Sequence, residues 1–199
     1  VTDKAALAVA EAKAHESVDE LKAAQASALG NFGTCLAQCG ELNRAVEPLE
    51  LALELRRAAA MRPGATATAR RSLGVATASL GAALMNGDEA QQARSQPLME
   101  IAAKIAKREG DTVTLRMLLT NISNHGDSDS DTRASASAEL WQLVRDSGRA
   151  APSMCAICLA DFEPDSRIAV LGCAHAYCAD CVYRWSQTSD RSEEDTSKL

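Results

Sequence analysis

The strongest constraint on folding in this chain is a group of five cysteines and one histidine between residues 155 and 181. Zinc prefers four thiolate or imidazole ligands in a tetrahedron, and a C-x2-C turn presents two thiolates to one ion without strain. Two such turns, Cys155 with Cys158 and Cys178 with Cys181, predict a complete four-cysteine zinc site. So dense a cluster is typical of metal binding in a reducing compartment and not of a disulfide framework.

Two further ligands, Cys173 and His175, lie between these cysteine pairs, where a simple zinc ribbon has no use for them. The whole order resembles a RING finger of the ubiquitin ligases, in which the first and third ligand pairs hold one ion and the second and fourth hold another. The resemblance implies that the first zinc is bound by Cys155, Cys158, Cys178 and Cys181. It also implies that Cys173 and His175 begin a second zinc site.

The residues between the ligands strengthen this resemblance. Ile157 lies inside the first cysteine pair, Tyr177 directly precedes the fifth ligand, and Trp185 follows Cys181 by four residues. In RING fingers the apolar residue of the first pair and this tryptophan form a groove that docks a ubiquitin-conjugating enzyme. Ile157 and Trp185 are therefore the docking candidates, although both could instead only pack the small core. Residues 168–171 are expected to form a short strand.

The last ligand pair of a RING finger with this tryptophan spacing falls at Ser192 and Asp195. Serine is a poor zinc ligand, so we expect the second zinc site to be incomplete and the Trp185 side of the groove to lose its anchor. The resemblance implies no catalytic residue, because a RING finger only holds the thioester of the loaded enzyme ready for attack by a substrate lysine. Residues 186–199 are polar and unpatterned, which predicts a disordered tail.

Residues 1–147 have the composition and periodicity of packed helices. The chain is 46% hydrophobic but only 3% aromatic, and its many alanines favour helices over strands. The stretch Ser17-Val-Asp-Glu20 has the form of a capping box and predicts a helix start. Apolar residues spaced three and four apart predict a face packed on a partner helix: Val18, Leu21, Ala28, Leu29, Phe32 and Leu36. Cys35 and Cys39 are expected to be small buried residues.

A turn at Gly40-Glu41 and the apolar stripe that follows it predict a helical hairpin. Small residues at Gly33, Ala45 and Ala52 allow the two helices to approach closely, and in these positions the segment resembles a tetratricopeptide repeat. The resemblance implies stacked hairpins with a concave surface that holds peptides or partner helices.

Further copies support repetition. Pro48-Leu49 recurs as Pro97-Leu98 in a second hairpin, which turns at residues 86–88. A third and weaker hairpin contains Trp141, which is expected to close the end of the stack. An irregular helical bundle is the alternative.

The sequence thus predicts a mainly α fold: tetratricopeptide-like helical hairpin repeats followed by a small zinc-bound RING-like module. The predicted boundaries are a repeat domain at 1–147, a linker at 148–153, the module at 154–185 and the tail at 186–199. The net charge of −6 argues against nucleic acid. No apolar run approaches the ~20 residues that span a bilayer. We expect a cytoplasmic protein, or a peroxisomal one if Ser197-Lys198-Leu199 is its natural C-terminus.

Two functions follow from these features. The first is a RING-type ubiquitin ligase, or a truncated relative, that recruits a ubiquitin-conjugating enzyme through the zinc module and a substrate through the helical repeats. The alternative is a non-catalytic protein-binding scaffold with a structural zinc module, which the altered closing ligands favour. A zinc hydrolase is disfavoured because a four-cysteine site leaves no open position for water.

Overall fold

The computed structural model describes residues 2–124, 130–147, 152–163, 166–171 and 175–189, with side chains from residue 17 onward except at 130 and 186–189. The elements are α1 (Thr2–Gln38), α2 (Leu42–Ala60), α3 (Ala67–Leu84), α4 (Glu89–Arg108), α5 (Thr112–Asn124), α6 (Ser130–Asp146), β1 (Ile168–Val170), β2 (Ala176–Cys178) and α7 (Ala179–Ser189). The prediction of a mainly α fold followed by a small cysteine-rich module is confirmed. No helix in the described part of the chain has both the length and the apolar character to cross a membrane.

The chain divides into two compact units, residues 1–110 and 111–199. The second unit therefore contains the third predicted hairpin together with the cysteine-rich module. Of the predicted linker, residues 148–151 lie outside the described residues. The boundaries at 147 and 154 thus remain a prediction.

The first unit is built from two hairpins, α1 with α2 and α3 with α4. The turn between α1 and α2 lies at Gly40, as the sequence predicted. The turn needs a glycine there, because the φ of this residue is +79°, which side chains with a Cβ rarely adopt. The second turn ends in a capping box, in which Gln91 N donates to Asp88 Oδ1 at 2.9 Å and Asp88 N donates to Gln91 Oε1 at 3.1 Å. A shared core joins the hairpins and consists of Leu36, Ala45, Leu49, Leu53, Leu80, Ala83 and Leu84.

The same close contact occurs in both hairpins. A Cβ atom added at Gly33 in α1 would lie 2.6 Å from Leu49 Cγ, and one added at Gly81 in α3 would lie 2.9 Å from Met99 Sδ. In each hairpin a glycine thus lets the second helix place a large side chain directly on the backbone of the first. This repeated contact supports the prediction of repeated hairpins. The finer resemblance to tetratricopeptide repeats stays a prediction.

The start of α1 was predicted wrongly. The helix runs through Ser17 without interruption from Thr2, because the preceding residues 4–16 are rich in alanine, lysine and glutamate, which are strong helix formers. The capping-box pattern at residues 17–20 is therefore internal to a helix.

The predicted buried face of α1 is also largely wrong. Val18, Leu21 and Phe32 are 46%, 68% and 52% exposed, whereas Gly33 is buried. The helix approaches α2 through its small residues because they permit close backbone contact, and most of its large apolar residues lie elsewhere. Cys35 and Cys39, expected to be buried, are exposed, because Cys35 lies two residues from the buried Gly33 and so on another side of the helix, and Cys39 follows the end of α1.

In the second unit, the α5–α6 hairpin packs against the cysteine-rich module. Strands β1 and β2 are antiparallel, with Ile168 opposite Cys178 and Val170 opposite Ala176, so the predicted strand at 168–171 is confirmed for its first three residues. The other edge of β1 is covered by α5. Thr120 Oγ1 accepts a hydrogen bond from Val170 N at 3.2 Å, and Asn124 Nδ2 donates to Ile168 O at 3.1 Å.

Trp141 has a different role from the predicted one. Its ring packs edge-to-face on Phe162, with ring centroids 5.2 Å apart and an interplanar angle of 73°. Phe162 belongs to the loop after the first cysteine pair. Trp141 therefore contacts the cysteine-rich module instead of closing a stack of hairpins, because the apolar surface next to it is supplied by this loop.

Candidate metal centre

Four cysteines converge at the junction of a turn, a strand and a helix. The Sγ atoms of Cys155, Cys158, Cys178 and Cys181 all lie within 4.8 Å of one another. A tetrahedral zinc ion with Zn–S bonds of about 2.3 Å needs sulfurs about 3.8 Å apart, and the Sγ atoms of Cys158 and Cys178 are separated by 3.7 Å. The donor set and its spacing therefore fit zinc.

The first two cysteines are presented by a tight turn. Leu159 N donates to Cys155 O at 2.8 Å, and Cys155 N donates to Ala160 O at 2.8 Å. Leu159 closes the turn with a φ of +60°, a conformation that costs a residue with a Cβ energy. The two hydrogen bonds hold the turn in a shape that directs the sulfurs of Cys155 and Cys158 to the same point.

The other two cysteines come from the point where β2 passes into α7. Cys178 is the last residue of β2, and Cys181 lies in the first turn of α7. The register of the strands places Cys178 opposite Ile168, and Ala179 N donates to Arg167 O at 3.0 Å. The position of Cys178 therefore depends on β1 and on the hydrogen bonds with α5 that fix the other edge of β1.

The surroundings of Cys155 favour its thiolate, whereas those of Cys178 and Cys181 favour their protonated thiols. Burial raises the pKa of Cys155, but hydrogen bonds from the backbone amides of Cys178, Cys158 and Ile157 outweigh it and lower the pKa to about 6. Cys178 N donates to Cys155 Sγ at 3.3 Å. Burial and the neighbouring sulfurs raise the pKa of Cys178 to about 12 and that of Cys181 to about 11. Zinc must displace these two protons, so its affinity for the site rises with pH.

The second zinc site stays a prediction, because most of its expected ligands lie outside the described residues. His175 is exposed, and its carbonyl accepts a hydrogen bond from Leu171 N at 3.0 Å. Cys173 and the predicted closing positions Ser192 and Asp195 lie outside the described residues, as does the predicted import signal at 197–199. Helix α7 continues to Ser189 and so includes the first four residues of the predicted tail.

The two predicted docking side chains are exposed. Ile157, inside the first turn, is 49% exposed, and Trp185, on α7, is 64% exposed. Two neighbours in sequence that were not predicted as docking residues are also exposed and apolar: Leu159 at 68% and Tyr183 at 66%. Tyr183 lies two residues before Trp185 on α7, so the two side chains point to different sides of the helix, and the predicted docking pair gave no signal for Tyr183.

The comparisons with known proteins agree with this geometry. Residues 153–191 match the family model of the Ring finger domain. No curated protein and no solved structure matches the chain. The RING resemblance, which rested on the order of the ligands, is therefore confirmed for this segment, together with a four-cysteine cluster that could bind zinc.

Proposed function

We propose that this protein, whose residues 153–191 match the Ring finger domain, is a ubiquitin ligase that acts without a covalent intermediate. In this proposal the Ring finger recruits a ubiquitin-conjugating enzyme loaded with ubiquitin, and the helical repeats hold a protein substrate in the cytoplasm. The observation that carries it is the exposure of Ile157 and Trp185 on two elements that the four cysteines join.

The physical argument concerns how these two side chains are fixed. Ile157 is part of the turn that carries Cys155 and Cys158, whereas Trp185 lies on the helix that begins next to Cys178 and contains Cys181. Zinc, when bound, supplies the bonds that tie this turn to this helix. The chain's own contribution is to expose one apolar side chain from each element, at positions fixed by the ligands beside them.

A discharge assay tests the proposal. Full-length protein is mixed with a conjugating enzyme that carries ubiquitin as a thioester, and ubiquitin transfer to free lysine is followed over time. We expect the protein to accelerate transfer and Ile157→Ala to reduce that acceleration roughly tenfold, the scale for losing a docking hot spot. Val113→Ala is the matched control, because Val113 is an aliphatic side chain, 55% exposed, outside the Ring finger domain. If neither wild type nor variant exceeds a reaction without protein, ligase activity is excluded.

The second candidate is a non-catalytic scaffold, and the residues at the closing ligand positions, Ser192 and Asp195, favour it. Elemental analysis of the purified protein separates the two candidates. One zinc per chain together with no discharge supports the scaffold. Two zinc ions per chain contradict an incomplete second site and so remove the reason for preferring the scaffold.

A further inference from the structure

A groove with a volume of about 390 Å³ lies between α1, α2 and α3 of the first unit. Fourteen residues line it, and the charged side chains among them are Arg56 of α2 and Arg71 of α3. No acidic residue is part of this lining, although the chain carries 27 acidic and 21 basic residues. We call this feature the arginine groove.

Both arginines are held in place by neutral groups. Arg56 Nη2 donates to Ser27 Oγ at 2.6 Å, which bridges α2 to α1. Arg71 donates from Nε and Nη2 to Glu109 O, at 3.3 and 3.1 Å. A guanidinium has five N–H donors, so each arginine keeps donors beyond these bonds. Within the described ranges neither forms a salt bridge, whereas the adjacent Arg70 binds the Glu109 carboxylate at 2.7 Å.

The rest of the lining suits a polypeptide. It contains small hydroxyl and amide side chains, which can hydrogen-bond a peptide backbone: Asn31, Thr34, Thr68, Ser72 and Ser79. Val75, which is 48% exposed, offers an apolar contact. None of the fourteen lining residues is aromatic, so the groove lacks the platforms on which nucleic-acid bases stack.

We propose that the arginine groove binds an extended acidic segment of a partner protein, with Glu or Asp carboxylates on Arg56 and Arg71. This inference rests on the proposed function, since it gives the chemistry of the substrate segment that the helical region would hold. Guanidinium and carboxylate match in shape and charge and can form two parallel hydrogen bonds. The neutral partners of both arginines leave these charges available for such a ligand.

Fluorescence anisotropy of the full-length protein tests the inference. The probe is a fluorescein-labelled twelve-residue peptide in which Glu alternates with Ala, Ser and Val, and the comparison peptide carries Gln at each Glu position. We expect the Glu peptide to bind at least about tenfold more tightly than the Gln peptide, and its binding to weaken as NaCl is raised. Arg56→Gln with Arg71→Gln should remove this preference, whereas Arg56→Lys with Arg71→Lys should retain part of it.

Arg57→Gln is the matched control, because Arg57 follows Arg56 on α2 but lines a separate cavity beside Glu50 and Glu54. Equal binding of the two peptides, an absence of binding, or no effect of the double Gln variant would overturn the inference. Equally tight binding of a labelled oligo-dT of twelve nucleotides would overturn the assignment to a peptide. The double Gln variant should still discharge the conjugating enzyme onto free lysine. A failure of peptide binding with normal discharge therefore counts against the groove alone, and a failure of discharge counts against the proposed function.

Discussion

The α1–α2 and α5–α6 hairpins use similar helices to meet different neighbours. In the first unit a helix meets a helix, and contact depends on an absent side chain: Leu49 packs where a Cβ of Gly33 would be. In the second unit a helix meets the edge of a strand, and contact depends on polar side chains that Thr120 and Asn124 supply. Helix surfaces carry no unpaired backbone groups, but a strand edge does, so its neighbour must offer donors and acceptors.

The largest expected difference between the two units is the loss of structure on zinc removal, which should affect the second unit and spare the first. Both tryptophans of the protein, Trp141 and Trp185, lie in the second unit, so intrinsic tryptophan emission reports on that unit alone. Structural zinc supplies about 10 kcal/mol or more to folding in small modules. We therefore expect a chelator to shift the emission to longer wavelength, while most far-UV circular dichroism from α1 to α4 remains.

The control for this experiment is the same chelator saturated with zinc beforehand. Loss of the helical signal in one step together with the emission change would show that the first unit also depends on the metal. The contrast between the units would then be lost.

Alanine substitution of two glycines on α1, one at a time, tests the helix–helix contact. Gly33→Ala should destabilise the first unit by about 1–3 kcal/mol, because the new methyl group would lie 2.6 Å from Leu49 Cγ and 3.0 Å from Ala45 O. Gly30→Ala meets only Ala52 Cβ, at 3.8 Å, and should stabilise the helix by up to about 1 kcal/mol. Urea unfolding of the zinc-loaded protein, followed by circular dichroism, measures both. The same sign for both variants would contradict the proposed close contact.

Removal of the strand-edge contact should cause the smallest loss of stability among these predictions. Asn124→Ala removes the donor to Ile168 O and the acceptor for Arg167 Nε at 3.3 Å. Because Asn124 is partly exposed, we expect a loss of about 1 kcal/mol. The tryptophan emission midpoint in urea measures the loss, and zinc should also transfer faster to a competing chelator, since Ile168 is opposite Cys178.

Asn121→Ala is the matched control for this variant. It removes the same amide one turn earlier on α5, from a residue for which the described chain shows no hydrogen bond to β1. Equal destabilisation by both variants would mean that helix propensity, and not the strand edge, determines the effect.

The sequence was most informative where chemistry acts over a few residues. The C-x2-C spacing predicted the convergence of Cys155 with Cys158 and of Cys178 with Cys181, because four thiols that share one ion leave little freedom between them. The helical type of α1 to α4 and the turn at Gly40 were predictable from periodicity and from glycine.

Prediction from the sequence was wrong or impossible in two situations. In one, side-chain size decides which residues of a helix pack; in the other, the contacting residues lie far apart in the chain. On α1, the larger apolar residues predicted the wrong face, because close packing at Gly33 selects small side chains over hydrophobic ones. The role of Thr120 and Asn124 could not be predicted, since 50 and 44 residues separate them from the backbone groups that they bind. Trp141 was expected to close the end of a stack, and its contact with Phe162 could not be predicted, because Phe162 belongs to the other predicted domain.

The left-handed backbone of Leu159 has a consequence for any effort to improve this protein by selection. A glycine would adopt a φ of +60° with less strain, worth roughly 1 kcal/mol, so a screen for thermal stability would favour Leu159→Gly. That change would delete an apolar side chain that is 68% exposed two positions from Ile157. Selection for heat resistance alone would therefore remove exposed apolar surface beside Ile157, the proposed docking residue, so stability and conjugating-enzyme discharge would have to be selected together.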